Sequence, residues 1–355
     1  MSEGALPRNL LIVTATSTVR GAEAEASELA QRLSAIGITT TLRSVEPGDP
    51  PRFAIEALGT SAFSPTGLSR LRRHAARSDL VIAFGSRSLP ACSIAMLGLT
   101  TPFIYRSIGD PTAWLRGPVH RCLTSLQYRR PIAVAALWPT ARTSIIEAFG
   151  VASDRVVVVP NARSREEYPP IQPADRARAK RSMQLESTPV AAFVGRLQPE
   201  KGVALAIETI AGLDSWHLLV AGHGVERSAA EKLASRVAPG RVTFLGHVPS
   251  VAPVLAAADV LLISSSTEGM PGVAIEALML GLPVVSTPVG ALPEMRGVAI
   301  SDPTPEALGD GLVAATMSPR QRPGGDAFAW ESVLPKWLAL LSAVSQGRSP
   351  NRQGA

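Results

Sequence analysis

The chain has 355 residues, 46% of them apolar and 18% charged, which is too long for one ordinary core and suits two domains of roughly 150 residues each. Its two cysteines, Cys92 and Cys122, exclude a disulfide framework and a cysteine metal cluster and fit a reducing compartment. The net charge of +6 lies wholly in the first half: residues 1–170 hold 19 Arg and no Lys against 13 acidic residues, and the remainder is neutral. Anionic partners such as phospholipid or a phosphorylated acceptor suit that half. Free use of Arg by a GC-rich genome is the plain alternative, and nucleic acid is not an expected partner.

The polar start, Met1 to Arg8, has neither the basic end nor the apolar stretch of a signal peptide. No run reaches the ~20 apolar residues that cross a bilayer. The expectation is a cytoplasmic protein, with peripheral attachment to an anionic inner membrane face left open by the charge.

Leu10 to Thr14 is a short β-rich apolar run, and Ala22 to Ile36 places apolar residues at helical spacing after a loop. Such a strand–loop–helix unit opens a parallel α/β sheet. Strands are predicted at Asp79 to Phe84, Thr101 to Tyr105, Ile132 to Ala136 and Arg155 to Val159, with a helix over Thr143 to Phe149. Residues 1–169 form this first domain. Residues 170–187 turn polar and Pro-rich and read as a linker ending in a surface helix.

A second series covers residues 188–327. Strands are predicted at Val190 to Val194, Trp216 to Ala221, Val242 to Leu245, Val260 to Ile263 and Leu282 to Ser286. Helices are predicted at Val203 to Ala211, Glu226 to Val237, Val251 to Ala257 and Gly272 to Leu280. Residues 328–346 read as an apolar helical segment interrupted by Pro335 that packs across both domains, and residues 347–355 as a disordered tail. The fold class is α/β, two Rossmann-like, doubly wound domains facing a central cleft. In such sheets the ligand sits beyond the carboxyl ends of the strands.

Gly195-Arg196-Leu197-Gln198-Pro199-Glu200-Lys201-Gly202 stands between a strand and a helix. Two cations beside a helix N-terminus make a place for phosphate oxygens; a solvated charged turn is the alternative. Gly222-His223-Gly224 ends another strand and permits close backbone approach. Ser264 to Ala277 (SSSTEGMPGVAIEA) puts Glu268 in a loop and Glu276 in the first turns of a helix. A carboxylate accepts paired hydrogen bonds from adjacent sugar or ribose hydroxyls, and the amides of Gly272 and Val273 point out of a helix start, where anions bind. The bland reading of Glu276 is compensation of the helix dipole.

The ordered set GRLQPEKG, AGHG, FLGHV, AAADVLLISSSTEGMPGVAIEAL and GLPVVSTPVGALPE resembles the retaining glycosyltransferase family 4, glycosyl transferases group 1, which has the GT-B fold. Order and spacing match over residues 190–294, including the pair Glu268 and Glu276. In the first domain the likeness is looser: Arg20-Gly21-Ala22-Glu23 stands for the family's Gly-Gly-Ala-Glu loop, and VVVVPNA over residues 156–162 for the usual end of that domain. The resemblance implies a metal-independent, hexosyltransferase-type enzyme whose co-substrate is a nucleotide-diphosphate sugar, with no further cofactor. By that similarity Arg196 and Lys201 neutralise the leaving diphosphate, Glu268 holds the donor sugar and Glu276 the ribose. Gly21, Gly195, Gly222, Met270, Gly272 and Val273 would line the donor site, and His247 and Val248 would touch the base. The family's N-domain His is replaced here by Ile108, and Arg106 and Asp110 are the acceptor-side candidates. The acceptor, a lipid, saccharide or small metabolite hydroxyl, and the oligomeric state stay open. The rivals are a sugar-nucleotide epimerase or hydrolase on the same fold and an inactive sugar-nucleotide-binding subunit. A nicotinamide dehydrogenase is disfavoured, because no proper G-x-G-x-x-G follows the first strand.

Overall fold

Five consecutive residues of the first strand, Leu10 to Thr14 within β1 (Asn9–Thr16), are buried. A strand covered on both faces reads as a continuous apolar run, not an alternation, which is the mark of a central strand in a parallel sheet. The computed structural model describes residues 6–18, 21–48, 55–110, 112, 115, 117–317 and 324–350. They form two units, Met1–Asn161 with Glu331–Ala355, and Ala162–Trp330.

In the first unit β1 is followed by α1 (Gly21–Ala35), β2 (Thr39–Glu46), β3 (Glu56–Ala57), α2 (Pro65–Ala75), β4 (Leu80–Phe84), α3 (Ser88–Ala95), β5 (Phe103–Arg106), α4 (Gly117–Tyr128), β6 (Ala133–Ala136), α5 (Pro139–Phe149) and β7 (Val156–Val158). The strands pair in parallel in the order β3-β2-β1-β4-β5-β6-β7. Helix α1 carries Glu23 in its first turn and Arg32 in its last, as the helix dipole favours. Helix α5 stops at Gly150, whose left-handed backbone (φ 62°) only glycine takes without strain.

The second unit contains α6 (Pro173–Ser182), β8 (Val190–Val194), α7 (Val203–Ala211), β9 (His217–Ala221), α8 (Arg227–Val237), β10 (Val242–Gly246), α9 (Ala252–Ala257), β11 (Val260–Ile263), α10 (Gly272–Met279), β12 (Val284–Ser286), β13 (Val298–Ile300) and α11 (Pro305–Met317). Its parallel sheet runs β10-β9-β8-β11-β12-β13. Leu218, Val220, Leu262, Ile207, Ile210, Leu308 and Leu312 belong to its core. The final helix, α12, covers Trp330–Ser345.

Three expectations need correction. The segment 170–187 is not a free linker, because α6 is tied to the second unit. Lys180 Nζ lies 2.5 Å from an oxygen of Asp259, and Arg176 donates to the carbonyl of Ala258. Asp259, the one acid in the apolar stretch 251–263, also accepts from the amide of Val190 at 2.9 Å. The first unit accordingly closes at Asn161, not at 169.

Pro335 does not interrupt the last helix. It removes one donor in the second turn, while Val333, Trp337, Leu340, Leu341 and Val344 are buried at helical spacing and the helix continues through it. From Glu331 onward this helix belongs to the first unit, where Trp337 stacks on Phe84 with ring centroids 6.0 Å apart.

The tail is ordered further than expected. Ser349 Oγ donates to Asp154, 2.8 Å from Oδ2 and 3.0 Å from the carbonyl. Residues 351–355 lie outside the described residues.

Candidate functional site

Each parallel sheet reverses its winding direction once. In the first the reversal lies between β1 and β4, in the second between β8 and β11. Loops leaving two such strands turn opposite ways and open a crevice at the carboxyl edge, where α/β sheets place their ligands. The loop after β8 carries Gly195, Arg196 and Lys201, and the loop after β11 carries Glu268, Met270 and the start of α10. Strand order therefore makes neighbours of segments some 70 residues apart in sequence.

Hydrogen bonds stitch the two loops together. Ser264 Oγ donates to the carbonyl of Gly202 at 2.8 Å, and the amide of Ser266 donates to the carbonyl of Glu200 at 2.9 Å. Lys201 Nζ meets Glu268 Oε1 at 2.6 Å, with side chains 24% and 10% exposed. Ser265 Oγ donates to the same carboxylate oxygen at 2.8 Å, and Thr287 Oγ1, beyond β12, holds the carbonyl of Ser265 at 2.6 Å. Lys201 and Glu268 are thus a preformed, charge-balanced pair. Arg196, in the same loop as Lys201, is exposed.

The glycine after β9 has a steric reason. At Gly222 (φ 146°) a Cβ would run into the carbonyl oxygen of Gly195. Its amide donates to the carbonyl of Gly246 at 2.7 Å, which ties in the loop after β10 that bears His247 and Val248. Val248 is half-buried, Met270 buried.

Helix α10 buries Ala274 to Met279 and has no side-chain cap at Pro271, so among the described residues no side-chain bond is made to its first amides, those of Gly272 and Val273. Glu276 lies one turn inside, on the same face as Gly272. Its Oε1 accepts from Arg163 Nε at 2.8 Å, the two side chains being 13% and 12% exposed. Arg163 comes from the segment just after the first unit. No sequence signal marks it, since it lies 113 residues from its partner.

In the first unit Gly21 opens α1 at the switch point beyond β1; Arg20 of the same motif lies outside the described residues. Asp110 follows β5 and closes a local turn, accepting from Thr112 N at 2.8 Å and Thr112 Oγ1 at 2.7 Å. Arg106 must be withdrawn as an acceptor-side residue. Its side chain is fully buried and paired at 2.8 Å with Glu25. It also donates to Asn161 Oδ1 at 3.1 Å and to the carbonyl of Val159, and sits 5.5 Å from the centroid of the Trp337 ring. Burial pulls the guanidinium pKa down, and Glu25 opposes that pull. The role is structural.

Helix α2 carries Arg70, Arg72 and Arg73 of the basic first half. The helix ends at Ala75, so Arg77 leaves the face shared by Arg70 and Arg73. Arg70 donates to the carbonyl of Leu58, and Arg72 to those of Ala95 and Leu97. Helix α4 is different: Val119, Leu123 and Leu126 are 72%, 55% and 63% exposed and share one face by spacing. Among the described residues no helix is long and apolar enough to cross a membrane.

Residues 188–316 match the family model for glycosyl transferases group 1, a match that falls within the second unit. The 2-deoxystreptamine glucosyltransferase of Streptomyces kanamyceticus is 32% identical over 178 residues, 48% of this chain and 46% of that protein. The lipopolysaccharide core biosynthesis glycosyltransferase LpsE of Rhizobium meliloti is 41% identical over 100 residues, 28% of this chain and 29% of its own length. The chain thus spans less than half the length of these curated relatives. Among solved structures, HepE of Anabaena in complex with UDP-glucose superimposes with a TM-score of 0.75 at 18% identity, covering 97% of both chains. Sucrose-phosphate synthase of Thermosynechococcus elongatus gives a TM-score of 0.80 at 17% identity, covering 96% of this chain and all of the other. The fold is GT-B. Within GT-B the two parallel sheets of this chain are its two Rossmann-like domains, and the crevice described above belongs to the second.

Proposed function

We propose that the chain is a retaining, hexosyltransferase-type glycosyltransferase that moves a sugar from a nucleotide-diphosphate donor to an acceptor hydroxyl. The observation that carries this reading is the convergence, at one switch point, of Arg196, the Lys201–Glu268 pair, the uncapped start of α10 and Glu276. A diphosphate fits between cations and free helix amides. A carboxylate one turn into the helix takes the paired ribose hydroxyls, and Glu268 takes the hydroxyls of the sugar. Arg196 and Lys201 stabilise the negative charge that grows on the leaving diphosphate, and we propose that they do so without a metal. Val248 and His247 meet the base. HepE, a fold neighbour, was solved with UDP-glucose, which favours the same class of donor. Gly21 and Asp110 are proposed for the phosphate and acceptor sides of the first domain.

The test is a thermal-shift screen against UDP, GDP and ADP sugars. A ligand at a hundred times its dissociation constant stabilises the protein by about 2.7 kcal/mol. No shift with any of the three removes the proposal. Donor incubated alone separates the rival activity: an epimerase or hydrolase alters the sugar without an acceptor, and a transferase does not.

For the acceptor side we propose docking on an anionic membrane surface through α4. The apolar row Val119, Leu123 and Leu126 is exposed beside Arg121, in the half of the chain that holds the whole excess charge. Apolar insertion adds to about 1 kcal/mol per cation near the surface. The protein is expected to co-sediment with phosphatidylserine-containing vesicles at low salt, to bind neutral vesicles less, and to lose binding in Leu123→Glu/Leu126→Glu. Failure to co-sediment with anionic vesicles at low salt makes a soluble acceptor the better reading.

A further inference from the structure

Arg163 sits where the chain passes between the two units. Its amide donates to the carbonyl of Phe328 at 2.9 Å, and the amide of Trp330 donates to its carbonyl at 3.3 Å, a short parallel bridge with Ala329. Its backbone is therefore anchored at both polar groups, and its side chain starts from a fixed point. That side chain runs to α10. Nη1 donates to the carbonyl of Ala162 at 2.9 Å, Nε to Glu276 Oε1 at 2.8 Å, and Nη2 lies where a Cβ on residue 272 would have to be. Any side chain at Gly272 would push the guanidinium off Glu276. Glycine there serves this contact as much as ligand access.

The placement has an electrostatic cost. A cation over the first turn of a helix opposes the positive end of the helix dipole. What offsets it is the carboxylate beneath. The contact is single: Nε engages Oε1, and among the described residues the Glu276 carboxylate has no other hydrogen-bond partner. Oε2 and a second lone pair on Oε1 are left to accept. A diol carries two donors and no charge, and a carboxylate fixed in this way offers it acceptors without further loss of side-chain freedom.

We propose that Arg163 is the positioning residue of the donor site: by holding Glu276 through Oε1 it preorganises the carboxylate for the two hydroxyls of a ribose. This rests on the reading of Glu276 given above. The benefit is the side-chain entropy Glu276 no longer loses on binding, worth about five- to tenfold in affinity.

The experiment compares UDP, GDP and ADP with their 2′,3′-dideoxy forms by calorimetric titration of wild type, Arg163→Met and Arg163→Lys, with unfolding midpoints measured on each. Arg163→Met is expected to weaken the ribose form of the bound nucleotide by about five- to tenfold and to leave the dideoxy form unchanged; Arg163→Lys, which keeps the charge, recovers part of the loss. Equal losses for both forms would mean that Arg163 acts on the phosphates or on folding alone, and that overturns the inference. So does unchanged or tighter binding of the ribose form, the latter making Arg163 a competitor for Glu276. If wild type binds none of the three nucleotides, the reading of Glu276 itself fails and takes this inference with it. Should Arg163→Met not fold, the ratio of ribose to dideoxy affinity in Arg163→Lys decides: a ratio unchanged from wild type overturns the inference.

Discussion

Alanine at Arg196 or Lys201 is expected to lower turnover about 10²- to 10³-fold, the usual cost of removing one group aimed at transition-state charge. The donor carries its two phosphate charges before reaction and gains a further charge as the glycosidic bond breaks. Cations that meet this new charge act on kcat, and those that meet only resident charge act on KM. Lys201 is expected to matter more than Arg196. It is bound to Glu268 at 2.6 Å, so its removal also leaves Glu268, 10% exposed, held by Ser265 alone among the described contacts. One substitution then disturbs both the leaving group and the sugar. Steady-state kinetics at varied donor concentration check this. A raised KM with unchanged kcat contradicts it, and so does strict loss of activity on addition of a chelator.

Arg106→Met is expected to destabilise the protein by about 3–5 kcal/mol, because it takes the guanidinium from a buried ion pair with Glu25. The wild-type pair has side chains 0% and 1% exposed, so no water replaces the lost partner. The carbonyl of Val159 and the amide oxygen of Asn161 lose a donor in the same stroke. The double variant Arg106→Met/Glu25→Leu removes both charges of the pair and is expected to regain most of the loss, since apolar replacement of a buried pair is often close to neutral. Denaturant unfolding of the two variants side by side checks the sign of the coupling. A single variant within about 1 kcal/mol of wild type contradicts the account.

Legibility in the sequence follows burial. Strands β4, β8 and β11 are buried along their length or nearly so, and their apolar runs mark them without ambiguity. Strand β2 (TTTLRSVE) is mostly half-exposed and carries Thr and Arg, which gives neither a run nor a clean alternation. Strand β13 has three residues, none of them buried, and α11 carries Gly309 and Gly311, which read as breakers. Gly309 in fact sits buried inside the helix, where a Cβ would come no closer than 3.6 Å to Leu213.

The site divides in the same way. Loops after β8 and β11 declare themselves through chain order and residue type. Their adjacency needs the strand order. Arg106 stood as an acceptor-side candidate because it lies two residues before Ile108, which takes the place of the family's N-domain His. What makes it structural is an inward-facing acid on the helix before it: Glu25 of α1 is 2% exposed, and a glutamate among the buried positions of an amphipathic helix asks for a buried cation. Arg163 had no such clue, because its partner belongs to a helix assembled from residues far along the chain.

The most direct test of the central claim, that the second-domain crevice binds a nucleotide-diphosphate sugar through Glu276, is the thermal shift of wild type and Glu276→Ala with the same donor. Losing a charged hydrogen-bonding partner weakens binding by about 1.5–3 kcal/mol. The wild type is therefore expected to shift upward at a donor concentration where the Glu276→Ala protein, measured against its own ligand-free midpoint, shifts little or not at all. Equal shifts for the two proteins would contradict the account.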